Sequence, residues 1–133
     1  MPRFLNPPTV PPPLSRYSQA VVLGTAYKRL IVSGQLGVLP DGTVPESLEG
    51  QMEQAFDNFL SILAAADLTV DDIVKVTVYT TVRGSVALYR MVRESKLGKA
   101  APASTYLEVA GLAAPNYLVE IEGEAVREAP LQR

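Results

Sequence analysis

A chain of 133 residues, 47% hydrophobic and 20% charged, is long enough to bury one core and has the balance of an ordinary globular domain rather than a disordered segment. With no cysteine and no histidine it can form no disulfide, thiolate nucleophile or histidine-based triad; proton transfer falls to Glu, Asp, Tyr, Lys or water, and no metal or organic cofactor is expected. A net charge of -2 offers no basic face to nucleic acid, no apolar run approaches the roughly 20 residues of a bilayer span, and the start lacks a signal-peptide core, so a cytoplasmic protein without membrane or nucleic-acid partners is expected.

The chain opens on Pro2, Pro7, Pro8, Pro11, Pro12 and Pro13. Repeated prolines fix φ and remove donors, which predicts an extended, polyproline-like arm over residues 1–14, packed on the domain surface or presented to an aromatic groove. Residues 18–23 and 29–33 are apolar or β-branched runs separated by a short polar stretch, the pattern of an antiparallel pair. Gly34, Gly37, Pro40 and the pair Asp41-Gly42 then mark a loop.

The clearest helix is predicted over residues 45–66. Leu48, Met52, Ala55, Phe56, Phe59, Leu60 and Leu63 recur at steps of three and four, Ser47 is a capping residue, and the acidic side chains mostly lie opposite the stripe. A β-branched strand follows at 73–79, then a second, less regular helix at 82–96. Closing strands are predicted at 105–109 and 118–126, joined by the turn-rich residues 111–116. The order β-β-α-β-α-β-β places the domain, residues 15–127 with a tail at 128–133, in the α+β class, with a mixed sheet and both helices on one face. In the last strand Val119, Ile121 and Ala125 share one side while Glu120, Glu122 and Glu124 share the other, so the opposite sheet face is left for a second copy to cover.

Five segments taken together resemble the Rid/YjgF/endoribonuclease L-PSP family. They are Arg16-Tyr17-Ser18-Gln19-Ala20, Ile31-Val32-Ser33-Gly34-Gln35, Asp72-Ile73-Val74-Lys75-Val76-Thr77-Val78-Tyr79, Ala101-Pro102-Ala103-Ser104 and Val119-Glu120-Ile121-Glu122, and they occur in the family's order. The helix ending in Ala66-Asp67-Leu68 is similar to that family's first helix and the turn after it. The resemblance implies a chorismate-mutase-like fold, a homotrimer whose sheets form a central barrel, and small-molecule clefts between neighbouring subunits. It also implies hydrolysis of reactive enamines and imines, such as 2-aminoacrylate, to keto acids and ammonia.

The same resemblance assigns site residues. Tyr17 matches a cleft tyrosine, Glu120 a carboxylate that orients water, and Ser33-Gly34 a turn whose backbone approaches the ligand. Ser104 stands where the archetype carries the arginine that grips the substrate carboxylate, and subgroups without that arginine generally lack the archetypal deaminase activity. Tyr17, Glu120 and Ser104 are therefore the candidate catalytic residues. Ser33, Gly34, Arg90 and Arg16 are candidate substrate-binding residues, with Arg90 or Arg16 able to supply a cation from another direction. Each has a plainer alternative: a strand-edge aromatic for Tyr17, an interfacial or solvated carboxylate for Glu120, a solvated helix arginine for Arg90. Lys75 reads either as a Schiff-base amine or, in the plainer reading, as a partner of Glu120 or Glu122. Two functions remain open at this point: hydrolysis or tautomerisation of an enamine, imine or carbonyl compound lacking the usual carboxylate placement, or a non-catalytic trimer binding a small molecule or a protein.

Overall fold

The computed structural model describes residues 2–9, 12–13, 16–23 and 27–128. Among the described residues, six strands and two α-helices are formed: β1 (Arg3–Leu5), β2 (Ala20–Val22), β3 (Tyr27–Leu36), α1 (Leu48–Ala65), β4 (Ile73–Thr80), α2 (Val86–Leu97), β5 (Ala103–Glu108) and β6 (Val119–Glu128). A 3-10 turn, Val70–Asp72, leads into β4. The main sheet has the order β3-β6-β4-β5, antiparallel except for the parallel pair β4 and β5 that α2 connects. It is the mixed α+β sheet that the alternation of patterns predicts.

Three expectations are corrected. The proline-rich arm is not polyproline-like throughout: Arg3, Phe4 and Leu5 pair antiparallel with Val22, Val21 and Ala20. Among the described residues β2 therefore pairs with β1 rather than with β3, whose partner is β6. An apolar run shows that a strand forms but not which edge it meets, and β6 offers β3 a longer ladder than a three-residue strand could. The tail at 128–133 also begins later than predicted, because Glu128 still pairs with Tyr27 at the end of β6; the rest of it lies outside the described residues.

The helix-facing side of the sheet carries the core. Val32, Val76, Val78, Val119, Ile121 and Ala125 meet Met52, Ala55, Phe56, Phe59 and Leu63 of α1, all of them buried. Gly123 is required here: a Cβ at that position would stand 2.3 Å from the Lys75 carbonyl oxygen and 3.0 Å from the Phe59 ring. Ser47 caps α1 by accepting a hydrogen bond from the Gly50 N–H at 3.0 Å. The buried Gln51 is fully engaged, donating to the carbonyls of Pro45 and Asn116 and accepting from the Leu118 N–H. It fixes the loops on either side of the sheet's end.

The end of α1 is a Schellman motif. The Leu68 N–H reaches the Leu63 carbonyl and the Asp67 N–H that of Ala64, with Asp67 at φ 59 and Leu68 buried against the core. Asp67 thus occupies the left-handed position that glycine usually fills. Beyond it, Asp72 is held by the Thr69 N–H at 2.7 Å and by Arg127 at 2.6 Å, which anchors the start of β4 to the end of β6. Burial opposes ionisation of the Asp72 carboxyl, but the hydrogen bonds from Arg127 and Thr69 outweigh it and hold the group below the ordinary carboxylate range.

Candidate active site

The segment carrying Arg16, Tyr17 and Ser18 is stitched to the open edge of β5. The Ser18 N–H donates to the Pro102 carbonyl at 2.9 Å, its hydroxyl donates to the Ala101 carbonyl at 2.5 Å, and Ser18 forms a parallel bridge with Ala103. This lays Tyr17 beside Ser104, the second residue of β5. Helix α2 runs past the same edge because Tyr89 packs between Phe56 and Tyr106, with ring centroids 6.1 and 4.7 Å away.

Two openings result. One, of about 250 Å³, is lined by Tyr17, Ser104, Arg90, Arg93, Tyr89 and Tyr106, together with Val86. The other, of about 470 Å³, continues past Tyr17 and Ser104 along the sheet edge to Arg29, Lys75 and Glu124. Three candidates from separate parts of the chain, Tyr17, Ser104 and Arg90, therefore meet at one cleft. Arg16 does not join them: its Nε donates to Glu94 at 3.0 Å, tying the segment to the outside of α2.

Glu120, Ser33 and Gly34 lie elsewhere. The β3–β6 register shifts between Val32 and Gln35, so that Ser33 and Gly34 form a bulge opposite Glu122. The Glu120 carboxylate lies over this bulge, and a Cβ on Gly34 would come within 1.9 Å of Glu120 Oε1. Absence of a side chain at Gly34 is what admits the carboxylate. On the strand next to Glu120, Tyr79 donates its hydroxyl to Glu122 at 2.6 Å. That hydrogen bond, aided by burial and by the charges of Glu122 and Glu120, raises the Tyr79 phenol above its ordinary value. Tyr79 and Glu122 lie within the motif segments but are not among the candidate site residues; their shared place on the glutamate face was the available signal.

The two groups cannot act together within one chain. Ser104 is level with Val76, while Glu120 is level with Tyr79. Three residues along the strand and two strands across amount to roughly 14 Å from standard strand spacings, and the side chains of Glu120 and Ser104 leave opposite faces of the sheet. The glutamate face is largely bare, with Ile31 67% exposed and Leu107 42% exposed. Lys75 is on that face, in register with Glu124 rather than with Glu120 or Glu122, and Glu124 is already paired with Arg29 at 2.7 Å.

The residue that motif reading missed is Arg93. It is 3% exposed, lines the smaller opening and donates from Nη2 to the Ala100 carbonyl at 3.2 Å. The signal was its spacing: four residues after Tyr89, it falls on the same, inward face of α2. Among the described residues no group of three or more carboxylates is placed to hold a metal ion, and no helix is long and apolar enough to cross a membrane.

Comparison with known proteins bears on the family and the fold. The family model described as Endoribonuclease L-PSP matches residues 8–127. A RutC family protein of Pyrococcus horikoshii is 32% identical over 120 residues, covering 89% of this chain and 92% of its own. A 2-iminobutanoate/2-iminopropanoate deaminase of Escherichia coli is 36% identical over 121 residues, covering 88% and 91%. Among solved structures, a Rid-family protein of unknown function from Yersinia pestis superposes with a TM-score of 0.82 at 27% identity, covering 93% of this chain and 97% of its own. The YjgF protein of Escherichia coli superposes with a TM-score of 0.70 at 35% identity, covering 87% and 91%.

Proposed function

Because the chain belongs to the endoribonuclease L-PSP (Rid/YjgF) family, we propose that it converts a small enamine or imine, by hydrolysis or tautomerisation, in clefts completed by a neighbouring copy of itself. The observation that carries this reading is the division of the polar residues. Tyr17, Ser104 and Arg90 converge on an opening at the β5 edge, while Glu120 over the Gly34 bulge stands on the other face, where exposed Ile31 and Leu107 invite a partner. A homotrimer that sets one chain's β5 edge against the next chain's bulge would unite the halves and cover the bare face.

In such a cleft each group has a task its chemistry suits. Tyr17 donates its hydroxyl to the substrate nitrogen, and Ser104 donates to a polar substituent. Glu120 accepts a proton from the attacking water as its oxygen bonds to the imine carbon. The nitrogen gains that proton, the carbon–nitrogen bond of the carbinolamine breaks, and ammonia leaves behind a carbonyl; overall, C=N and water give C=O and ammonia. No redox step occurs and no cofactor is called for. The rival reading, a binding module without chemistry, would be favoured by clefts filled with side chains, whereas openings of about 250 and 470 Å³, with walls part apolar and part polar, favour conversion.

The test is turnover. The purified protein is assayed with 2-iminobutanoate generated in situ and with neutral cyclic enamines, following carbonyl product. The expected result is turnover of at least one class, reduced by Tyr17→Phe and by Glu120→Gln by about 10²-fold or more. Absence of turnover on both classes by a folded protein would overturn the reading.

A further inference from the structure

Aromatic rings make up one side of the smaller opening. Phe56, Tyr89 and Tyr106 form a row: Tyr89 stacks on Phe56 at 6.1 Å with 19° between the planes, and tilts by 31° against Tyr106 at 4.7 Å. Tyr89 and Tyr106 line the opening of about 250 Å³, together with Tyr17 and with Val86, which is 40% exposed. Most polar heads on this wall are already engaged. The Tyr106 hydroxyl is hydrogen-bonded to Ser85 Oγ, which itself donates to the Val82 carbonyl at 2.7 Å, so Tyr106 has no donor left and offers the opening a ring. The Arg93 guanidinium donates to the Ala100 carbonyl at 3.2 Å and has the Glu94 charge acting on it, so the wall does not call for an anion.

Tyr89 is the exception. It is 4% exposed, and its hydroxyl, beside Ser104 and Arg93, forms no hydrogen bond of ordinary geometry. Burial above all raises this phenol over its ordinary value, so it stays a protonated donor through the neutral range. A buried hydroxyl with an unmade hydrogen bond is costly, and buried tyrosines ordinarily find a partner for it. Here the residue stands in a cavity wall, so a ligand can bring the acceptor. The ring faces and edges around it favour another ring, set offset or edge-on within about 4.5–7 Å. The volume falls just below the range of about 300–1,000 Å³ typical of drug-sized ligands, which leaves room for one ring and a short substituent.

We propose that the opening between α2 and β5 is a subsite for a single uncharged aromatic ring carrying a hydrogen-bond acceptor. Tyr89 and Tyr106 pack on the ring, and the Tyr89 hydroxyl donates to the acceptor. This rests on the cleft reading for the place of the reacting carbon, beside Tyr17 and Ser104, but ring binding is measurable without turnover. It names the substrate class: small aryl imines and enamines, whose hydrolysis releases an aryl ketone or aldehyde.

The test uses three neutral ketones. One is 4-methoxyacetophenone, the product that hydrolysis of such an imine releases. The second, 4-ethylacetophenone, keeps the shape and loses the ring acceptor; the third, 4-methoxycyclohexyl methyl ketone, keeps the acceptor and loses the aromatic ring. Affinities of the intact protein are measured by ligand-observed NMR, and contacts by nuclear Overhauser effects from ligand to protein. The wild type is expected to prefer the methoxyaryl ketone to either of the others by about fivefold, the range of one aromatic contact or one hydrogen bond. Its ring protons should contact the Val86 methyls and the Tyr106 ring. Tyr89→Phe should bring the methoxy and ethyl ketones to parity while the preference over the saturated ring persists. A wild type that binds none of the three, or all equally, overturns the subsite, as does a bound ring without contacts to Val86 and Tyr106. A folded Tyr89→Phe protein that keeps the full methoxy preference overturns it too, since the hydroxyl is then satisfied without the ligand. Should that variant fail to fold, the wild-type preferences and contacts decide. Ring binding beside Val86 without any turnover would keep the subsite and refute the conversion, whereas turnover of straight-chain imines with no ring binding would do the reverse.

Discussion

Gly34→Ala separates the position of the Glu120 carboxylate from its chemistry. A Cβ at residue 34 would stand 1.9 Å from Glu120 Oε1 and 2.7 Å from its carboxyl carbon. Restoring an ordinary contact near 3.5 Å requires the carboxylate to swing by about 1.5 Å. The obstacle is the end of a flexible side chain rather than backbone, so the fold absorbs the change within about 1 kcal/mol. Catalysis cannot absorb it so readily, because a misplacement of about 1 Å can cost on the order of 10²-fold in rate. The expected variant is folded, melts close to the wild type and loses about 10²-fold in kcat with little change in KM. Adding Glu120→Gln to it should cost little more, since the two changes damage one function. Steady-state kinetics on carbonyl release and a double-mutant cycle read these values. Wild-type kcat in the folded Gly34→Ala protein, or full additivity with Glu120→Gln, would refute the assignment of Glu120.

Three further outcomes concern the fold. Gly123→Ala should lower stability by about 1–3 kcal/mol in urea unfolding, because the added methyl meets the Lys75 backbone and the packed Phe59 ring, neither of which can retreat. Asp67→Gly should raise stability by about 0.5–1 kcal/mol, since glycine occupies the φ of 59 at the end of α1 without a Cβ penalty. Asp72 has a depressed carboxyl, so its contribution is present above the unfolded value near about 3.9 and disappears as pH falls through the lower folded value. The melting-temperature gap between the wild type and Asp72→Asn should therefore be constant at neutral pH and shrink below about pH 4; a gap of equal size at pH 3 and pH 7 would contradict this.

Periodic features were legible in the sequence because burial imposes them directly. The stripe from Leu48 to Leu63 is the buried face of α1, and the alternation of Val119, Ile121 and Ala125 with three glutamates is the two-sidedness of β6. Pairing partners were less legible, since Val21 and Val22 suit any edge and only the tertiary fold offers them Phe4 and Arg3. The candidate site was legible as separate residues but not as an arrangement. Arg90 and Arg93 are both arginines of one helix, and what distinguishes the exposed one from the buried one is the 3.6-residue period that aligns Arg93 with Tyr89. Arg16 was expected near the ligand beside Tyr17, yet successive residues point apart, and it meets Glu94 instead.

The central claim is that one copy's Tyr17 works with another copy's Glu120, and subunit complementation tests it most directly. Tyr17→Phe and Glu120→Gln proteins, each inactive alone, are dissociated, mixed in equal amounts and reassembled. In a cyclic trimer with shared clefts, about a quarter of the sites then combine an intact Tyr17 side with an intact Glu120 side. The account predicts recovery of about a quarter of wild-type turnover in the mixture, with none in either variant treated alone. A mixture as inactive as its components, although hybrid trimers have formed, would contradict it.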